Sequence, residues 1–172
     1  KPFMGKDFIQ TFDYSIKLNP HEEGSSVKIN ARNVIGYLDN KASKTIVIGA
    51  HYDHLGLNEH HNSTLMNSAG QIHNGADDNA SGVSAVLELA RMFSTNKTTE
   101  KANYIFALFS GEEDGLMGSK YMADHLPKGT NIDLMINLDM VGRLNKDKDL
   151  SVGGVGTSPD FSKYIHRYKP AG

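Results

Sequence analysis

One stretch, Asn74–Phe93 (NGADDNASGVSAVLELARMF), limits the folds open to this chain more than any other. Its first half reads as a turn: Gly75, the carboxylate pair Asp77 and Asp78, then Asn79, Ser81 and Gly82. Its second half reads as an amphipathic helix, with Val83, Val86, Leu87, Ala90 and Met92/Phe93 spaced for one buried face. Two adjacent acids therefore stand just ahead of a helix start, held by glycines and by Ser81 as the capping residue. Acids in that place have an ordinary use, because they stabilise a helix N-terminus and cap its free amides. The pair gains a second meaning only from the strands around it.

Lys44–Ala50 (KTIVIGA) is a short, continuous, β-branched run, the pattern of a strand covered on both faces. It ends at His51-Tyr52-Asp53-His54. Side chains at the C-terminal end of such a strand open onto the ligand crevice of an α/β sheet. His51 and Asp53 are two apart and point the same way while the backbone stays extended. That suits a metal-bound imidazole whose second nitrogen is held by a carboxylate, and equally a hydrogen-bonded histidine at a strand end. Asn103–Phe109 (NYIFALF) repeats the pattern and ends at Ser110-Gly111-Glu112-Glu113-Asp114-Gly115. Three consecutive acids repel one another unless they share a cation or a proton. Residues 116–125 then predict a short helix. Ile132–Leu138 (IDLMINL) is read as a third buried strand, and it too ends in an acid, Asp139.

The remaining segments are read as supports. Residues 8–18 and 26–38 alternate like strands around the turn-rich NPHEEGS, which predicts a β-hairpin over about 8–38. His21-Glu22 lacks a second histidine at zincin spacing and is read as a solvated turn. Residues 55–74 form a long polar loop containing His60, His61 and His73, read as solvent-exposed. Residues 144–149 predict a charged surface turn and Leu150–Val155 a short strand. Thr157-Ser158-Pro159 predicts the start of a last helix through Phe161, Tyr164, Ile165 and Tyr168. No dinucleotide fingerprint, P-loop or nucleophile elbow is present.

Composition narrows the chemistry. The 172 residues suit a single domain, with the hairpin first and a core over 44–172. A net charge of −2 without blocks of like charge argues against nucleic acid as partner. No apolar run approaches the ~20 residues of a membrane span. Cysteine is absent, which leaves His, Asp and Glu as the metal ligands. Strands alternating with helices imply an α/β fold with a mixed, largely parallel sheet flanked by helices. His51, Asp78, Glu112, Glu113 and Asp139 should then converge on one sheet edge. Such a cluster is strongly repulsive unless it holds divalent metal, and mixed His/carboxylate ligation suits zinc.

AHYDHLG at 50–56, NGADDNASG at 74–82, FSGEEDGLMGS at 109–119 and NLDMVGR at 137–143 resemble, in order and spacing, the successive motifs of the M28 family of zinc aminopeptidases. The resemblance covers most of the chain from about Asn33. It implies the phosphorylase/hydrolase-like zinc-peptidase fold and a co-catalytic centre of two Zn2+ ions. By that resemblance His51 and Asp139 bind one zinc, Glu113 binds the other and Asp78 bridges both. Glu112 is then the general base and Asp53 orients His51. The implied reaction is removal of N-terminal residues from peptide substrates. Two other readings remain open: a single-zinc glutaminyl cyclase-like or carboxypeptidase-like member, and a catalytically impaired, self-associating metal-binding fragment.

The family's further histidine ligand, in a Ser-Asp-His context, has no counterpart here. His166 (KYIHRY) is read as a structural or surface histidine. The resemblance therefore implies a C-terminally incomplete catalytic domain, a second zinc held weakly or not at all, and a homo-oligomer through the exposed edge. The start at Lys1 reads as a processed or excised product, and analogy with bacterial relatives implies a secreted or periplasmic protein.

Overall fold

The computed structural model describes residues 1–3, 7–18, 24–68, 70–144, 146 and 151–167, without the side chains of Tyr164, His166 and Arg167. The readings of His21-Glu22 and of the His166 side chain lie outside the described residues, as does much of the 144–149 turn. The chain divides into two compact units, Lys1–Gly142 and Arg143–Gly172.

The first unit is built on a five-stranded sheet. Its strands are β1 (Ile9–Lys17), β2 (Ser26–Leu38), β3 (Thr45–His51), β4 (Asn103–Phe109) and β5 (Ile132–Asn137), in the order β1-β2-β4-β3-β5. β1 and β2 form the expected antiparallel hairpin, and β2 runs antiparallel to β4. β3 runs parallel to both β4 and β5. The sheet is thus mixed and largely parallel, with β2 alone running against the rest.

Side-chain alternation on β3 and β4 supplies two cores. Val47, Ile105, Ala107 and Phe109 face helix α2 (Met117–Asp124) and pack with Ile35 and Met122. Ile48, Ala50 and Phe106 face helix α1 (Gly82–Thr95) and pack with Val86, Val83, Leu89, Ala90 and Phe93. A strand apolar on both faces is buried on both faces, so the continuous apolar runs of these two strands are explained. The face of α1 is rotated from the expected one. Leu87 and Met92 are exposed, and Leu89 packs inward in their place.

β5 corrects the expectation of a third buried strand. It is an edge strand with Met135 and Ile136 exposed, because β3 is its only ladder partner among the described residues. Among those residues, too, no helix is long and apolar enough to cross a membrane.

In the second unit Ser151–Gly154 form no strand, Val155–Thr157 make a single tight helical turn, and α3 runs Phe161–Arg167. The strand expected at Leu150–Val155 is absent over its described residues. Pro159 lies in the turn ahead of α3 rather than inside it.

Candidate metal centre

The register of the parallel ladders brings the strand ends together. His51 is paired with Phe109, and Tyr52 N–H continues the ladder by donating to the Phe109 carbonyl at 2.9 Å. On the other side Gly49 is paired with Asn137, and Leu138 N–H donates to the Gly49 carbonyl at 2.8 Å. The acid turn after β4 and the Asp139 loop after β5 therefore both begin beside the end of β3.

The fourth contributor arrives from the turn before α1. Gly75 enters it at φ 66, a left-handed conformation that suits glycine. A Cβ there would come within 2.7 Å of the His54 Cβ. Asp78 and Asn79 leave helical backbone, and the Asp78–Asn79 peptide is cis. Ser81 stands at the N-cap position of α1 but makes no capping bond with its side chain; the side-chain bond to the helix start comes from Asn79. The buried Asn79 Oδ1 accepts from Gly82 N–H at 3.0 Å and from Met140 N–H at 3.3 Å, while its Nδ2 donates to the Leu138 carbonyl at 2.9 Å. The Ser81 hydroxyl instead donates to the Asp77 carbonyl at 2.6 Å and accepts from Val141 N–H at 3.0 Å. Asp77 Oδ1 accepts from Gly142 N–H at 3.0 Å. Of the adjacent acids, then, Asp77 ties the turn to the 139–142 loop and Asp78 is turned toward His51.

His51 is the centre of the cluster, with its side chain only 2% exposed. Its Nδ1 lies 3.0 Å from the Asp53 carbonyl oxygen, so that nitrogen is the donor and Nε2 is directed at the acids. Nε2 is 3.0 Å from Asp78 Oδ1, 3.6 Å from Asp139 Oδ1 and 3.8 Å from Glu112 Oε2. Glu113 completes a group with His51 and Asp78 whose ligand atoms all lie within 4.8 Å of one another. Asp53 meets His51 through its main chain. Its carboxylate stands 3.7 Å from Nδ1 and instead accepts the amides of Glu112 at 3.2 Å and Glu113 at 3.1 Å. The expected carboxylate–imidazole bond is thus replaced by a carbonyl–imidazole bond, and the Asp53 carboxylate fixes the acid turn.

The electrostatics are those of a crowded anionic pocket. Burial pushes the His51 pKa down, but the neighbouring Asp53, Glu112 and Asp139 outweigh it and raise the imidazole to about 9. Burial raises Glu113 to about 7, helped by the charges of Asp78 and Glu112. Burial also raises Glu112, opposed by His51 and reinforced by Asp139, Asp53 and Asp78. Asp53 goes the other way. Burial pushes it up, but His51 and the Glu112 and Glu113 amides hold it below its usual range. A divalent cation would compensate both the burial of these carboxylates and their mutual repulsion. The spacing fits one: two donors on a tetrahedral zinc stand ~3.3 Å apart. The 3.0 and 3.6 Å separations at Nε2 lie on either side of that figure.

Several supports are not visible as motifs. Asn33, fully buried, accepts from Ser110 N–H and donates to Gln10 and to the Gly118 carbonyl. Asp114 does not share the cluster's charge. It accepts from the Tyr14 hydroxyl at 2.7 Å and lies 2.8 Å from His60 Nδ1. Asn62 Nδ2 donates to the Glu113 carbonyl at 2.7 Å. The 55–74 loop is exposed over most of its described residues, as expected, and is tied to the acid turn through His60 and Asn62.

The family model described as peptidase family M28 matches residues 33–171. A probable zinc metalloprotease of Pyrenophora teres f. teres (strain 0-1) is 43% identical over 95 residues, which cover 55% of this chain and 18% of that protein. Among solved structures, the aminopeptidase from Aneurinibacillus sp. strain AM-1 is 33% identical with a TM-score of 0.51, covering 68% of this chain and 26% of that one. Porphyromonas gingivalis glutaminyl cyclase shares the fold at a TM-score of 0.61 and 24% identity, covering 78% of this chain and 47% of that one. The chain thus spans less than half the length of each.

Proposed function

This chain belongs to peptidase family M28, and from that premise we propose that it carries the metal-binding part of a zinc exopeptidase acting on peptide N-termini. The observation that carries the proposal is the ring of carboxylates around His51 Nε2 at the C-terminal ends of β3 and β4 and beyond β5. The names of the metalloprotease and aminopeptidase relatives support the zinc and the reaction class.

His51, Asp78 and Asp139 would hold one zinc, and Asp78 with Glu113 a second. When the imidazole gives up its second proton for the metal, the Asp53 carbonyl keeps the remaining one on Nδ1, so that Nε2 is the nitrogen that would ligate. Bound zinc would supply Lewis acidity toward the scissile carbonyl and toward water. Glu112 stands beside these ligands with its pKa raised, the property wanted in a group that takes a proton from water and returns it to the leaving amine. Asp53 sets the direction of Glu112 and Glu113 through their amides. Peptides with a free α-amine are the proposed substrates.

Metal content separates the roles. The purified chain should take up at least one zinc, and His51→Ala should lose it. Glu112→Gln should keep the metal of the parent while abolishing any release of nitroaniline from leucine p-nitroanilide. Loss of zinc in Glu112→Gln would make Glu112 a ligand and overturn its role as base. Cyclisation of an N-terminal glutaminyl peptide in place of hydrolysis would replace the exopeptidase reading.

A further inference from the structure

Tyr14 belongs to the hairpin and lies ahead of residues 33–171, the part that matches the family model. It nevertheless touches the acid turn on both sides of Glu112-Glu113. Its hydroxyl donates to Asp114 Oδ2 at 2.7 Å. Its ring lies against Gly111, where an added Cβ would come within 3.0 Å of the ring's Cζ and hydroxyl oxygen. Gly111 itself has φ +70, so a side chain there is excluded by conformation as well as by space. Tyr14 is in turn braced from behind. Phe12 stacks on it at 5.9 Å and on Tyr121 of α2 at 4.9 Å. The Asp114 side chain is 8% exposed, and its other oxygen faces His60. A carboxylate buried to that degree is costly unless its oxygens are hydrogen-bonded, so the Tyr14 hydroxyl determines which way Asp114 turns.

We infer that Tyr14, through Asp114 and Gly111, is a positioning residue that fixes Glu112 and Glu113 in their orientation toward His51. The inference rests on the metal-site reading above. It makes the hairpin part of the site's support: β1 reaches the turn with Tyr14, and α2, which follows the turn, with Phe12. Loss of a partner bonded to a ligand itself weakens metal affinity about 10- to 100-fold; Tyr14 acts one residue further out, through Asp114, and its effect belongs at the low end of that range.

The experiment uses the full 172-residue chain with cobalt(II) as a spectroscopic stand-in for zinc. Affinity is read by competition with a chromophoric chelator, and ligand geometry by the cobalt visible bands. Tyr14→Phe keeps the ring and removes only the hydroxyl. It should weaken cobalt binding about tenfold and alter the bands. Asp114→Ala, which removes the acceptor, should do the same, and the double variant should be no weaker than Asp114→Ala alone, because the Tyr14 hydroxyl acts through the Asp114 carboxylate. A circular-dichroism spectrum equal to the parent's excludes loss of fold as the cause of that non-additivity; where Tyr14→Phe does not fold, Asp114→Ala carries the test through the bands. Cobalt bound by Tyr14→Phe as tightly and with the same bands as the parent overturns the positioning role while leaving the metal site standing. Failure of the parent chain to bind cobalt, or equal binding by His51→Ala, overturns the metal-site reading, and the positioning role with it.

Discussion

Two kinds of strand deliver the same cluster. β3 and β4 are interior strands, packed on both faces, and they end in His51 and in the acid turn. β5 is an edge strand with one ladder and exposed Met135 and Ile136, and it ends in the Asp139 loop. On the first side position comes from packing, backed by Asp53, Asn33, Tyr14 and Asn62 bonding to the acid turn. On the second it comes largely from polar ties to the turn before α1: Asn79 to Leu138 and Met140, Ser81 to Val141, Asp77 to Gly142. A packed strand resists displacement by its whole buried surface. A hydrogen-bonded loop depends on a few residues, each with a net worth of about 1 kcal/mol. The difference predicts that the β3–β4 half of the site tracks global stability, while the Asp139 half can be loosened locally.

The largest effect belongs to the interior half. Ile105 is fully buried on β4. Ile105→Ala should cost about 3 kcal/mol by chemical denaturation, from lost transfer energy and the cavity left behind. A cost near zero would show that the β4 core does not carry the fold.

Asn79→Ala sharpens the contrast. It removes the side-chain bonds to Gly82 N–H, Met140 N–H and the Leu138 carbonyl, while Gly82 N–H keeps the Asn79 backbone carbonyl. The cost should be about 2 kcal/mol. Amides at 138–142 should lose exchange protection while those of β3 and β4 keep theirs. Uniform loss over both groups would erase the distinction between the two halves.

Much of this arrangement is legible in the chain, and the reason is periodicity. Strands buried on both faces announce themselves as short apolar runs, and their ends mark where chemistry collects. That logic locates β3, β4, His51 and the acid turn. It misreads β5, because IDLMINL is equally apolar whether a neighbouring strand covers it or not. Neighbours in a sheet are a property of topology, and composition does not contain them. Residue preference points to Ser81 as the capping side chain, yet Asn79 in the same motif makes the bond. Tyr14 and Asp114 are 100 positions apart, and no local pattern joins them. His60 is exposed loop surface, as its sequence context predicts, but its contact with Asp114 is 54 positions away and equally without a local pattern.

The proton balance belongs to the β3–β4 half as well. Without metal, His51 titrates near pH 9 and Glu113 near pH 7, both raised. A metal ion takes the neutral imidazole and the ionised carboxylate, so binding releases whatever protons these groups still hold. Below pH 7 both protons must leave, and affinity should rise about a hundredfold per pH unit at the steepest. Between pH 7 and 9 one proton leaves, the rise is about tenfold per unit, and above 9 it should flatten. Chelator competition across that range measures the slope. A flat profile between pH 7 and 9 would mean that His51 is already neutral, and that the ring of acids does not hold its proton.

The smallest effect is the reciprocal of the first. Met135 is 45% exposed on β5. Met135→Ala removes a side chain already half in water, so it opens no closed cavity and should cost under about 0.5 kcal/mol. The metal affinity of the cluster should stay at the parent value, because Asp139 is placed by the Asn79 and Asp77 bonds beyond the strand rather than by the strand's outer face. A cost approaching that of Ile105→Ala would show that the outer face of β5 is covered in solution. Light scattering would then show the chain at twice its monomer mass, since a second copy presents the same exposed edge and apolar residues.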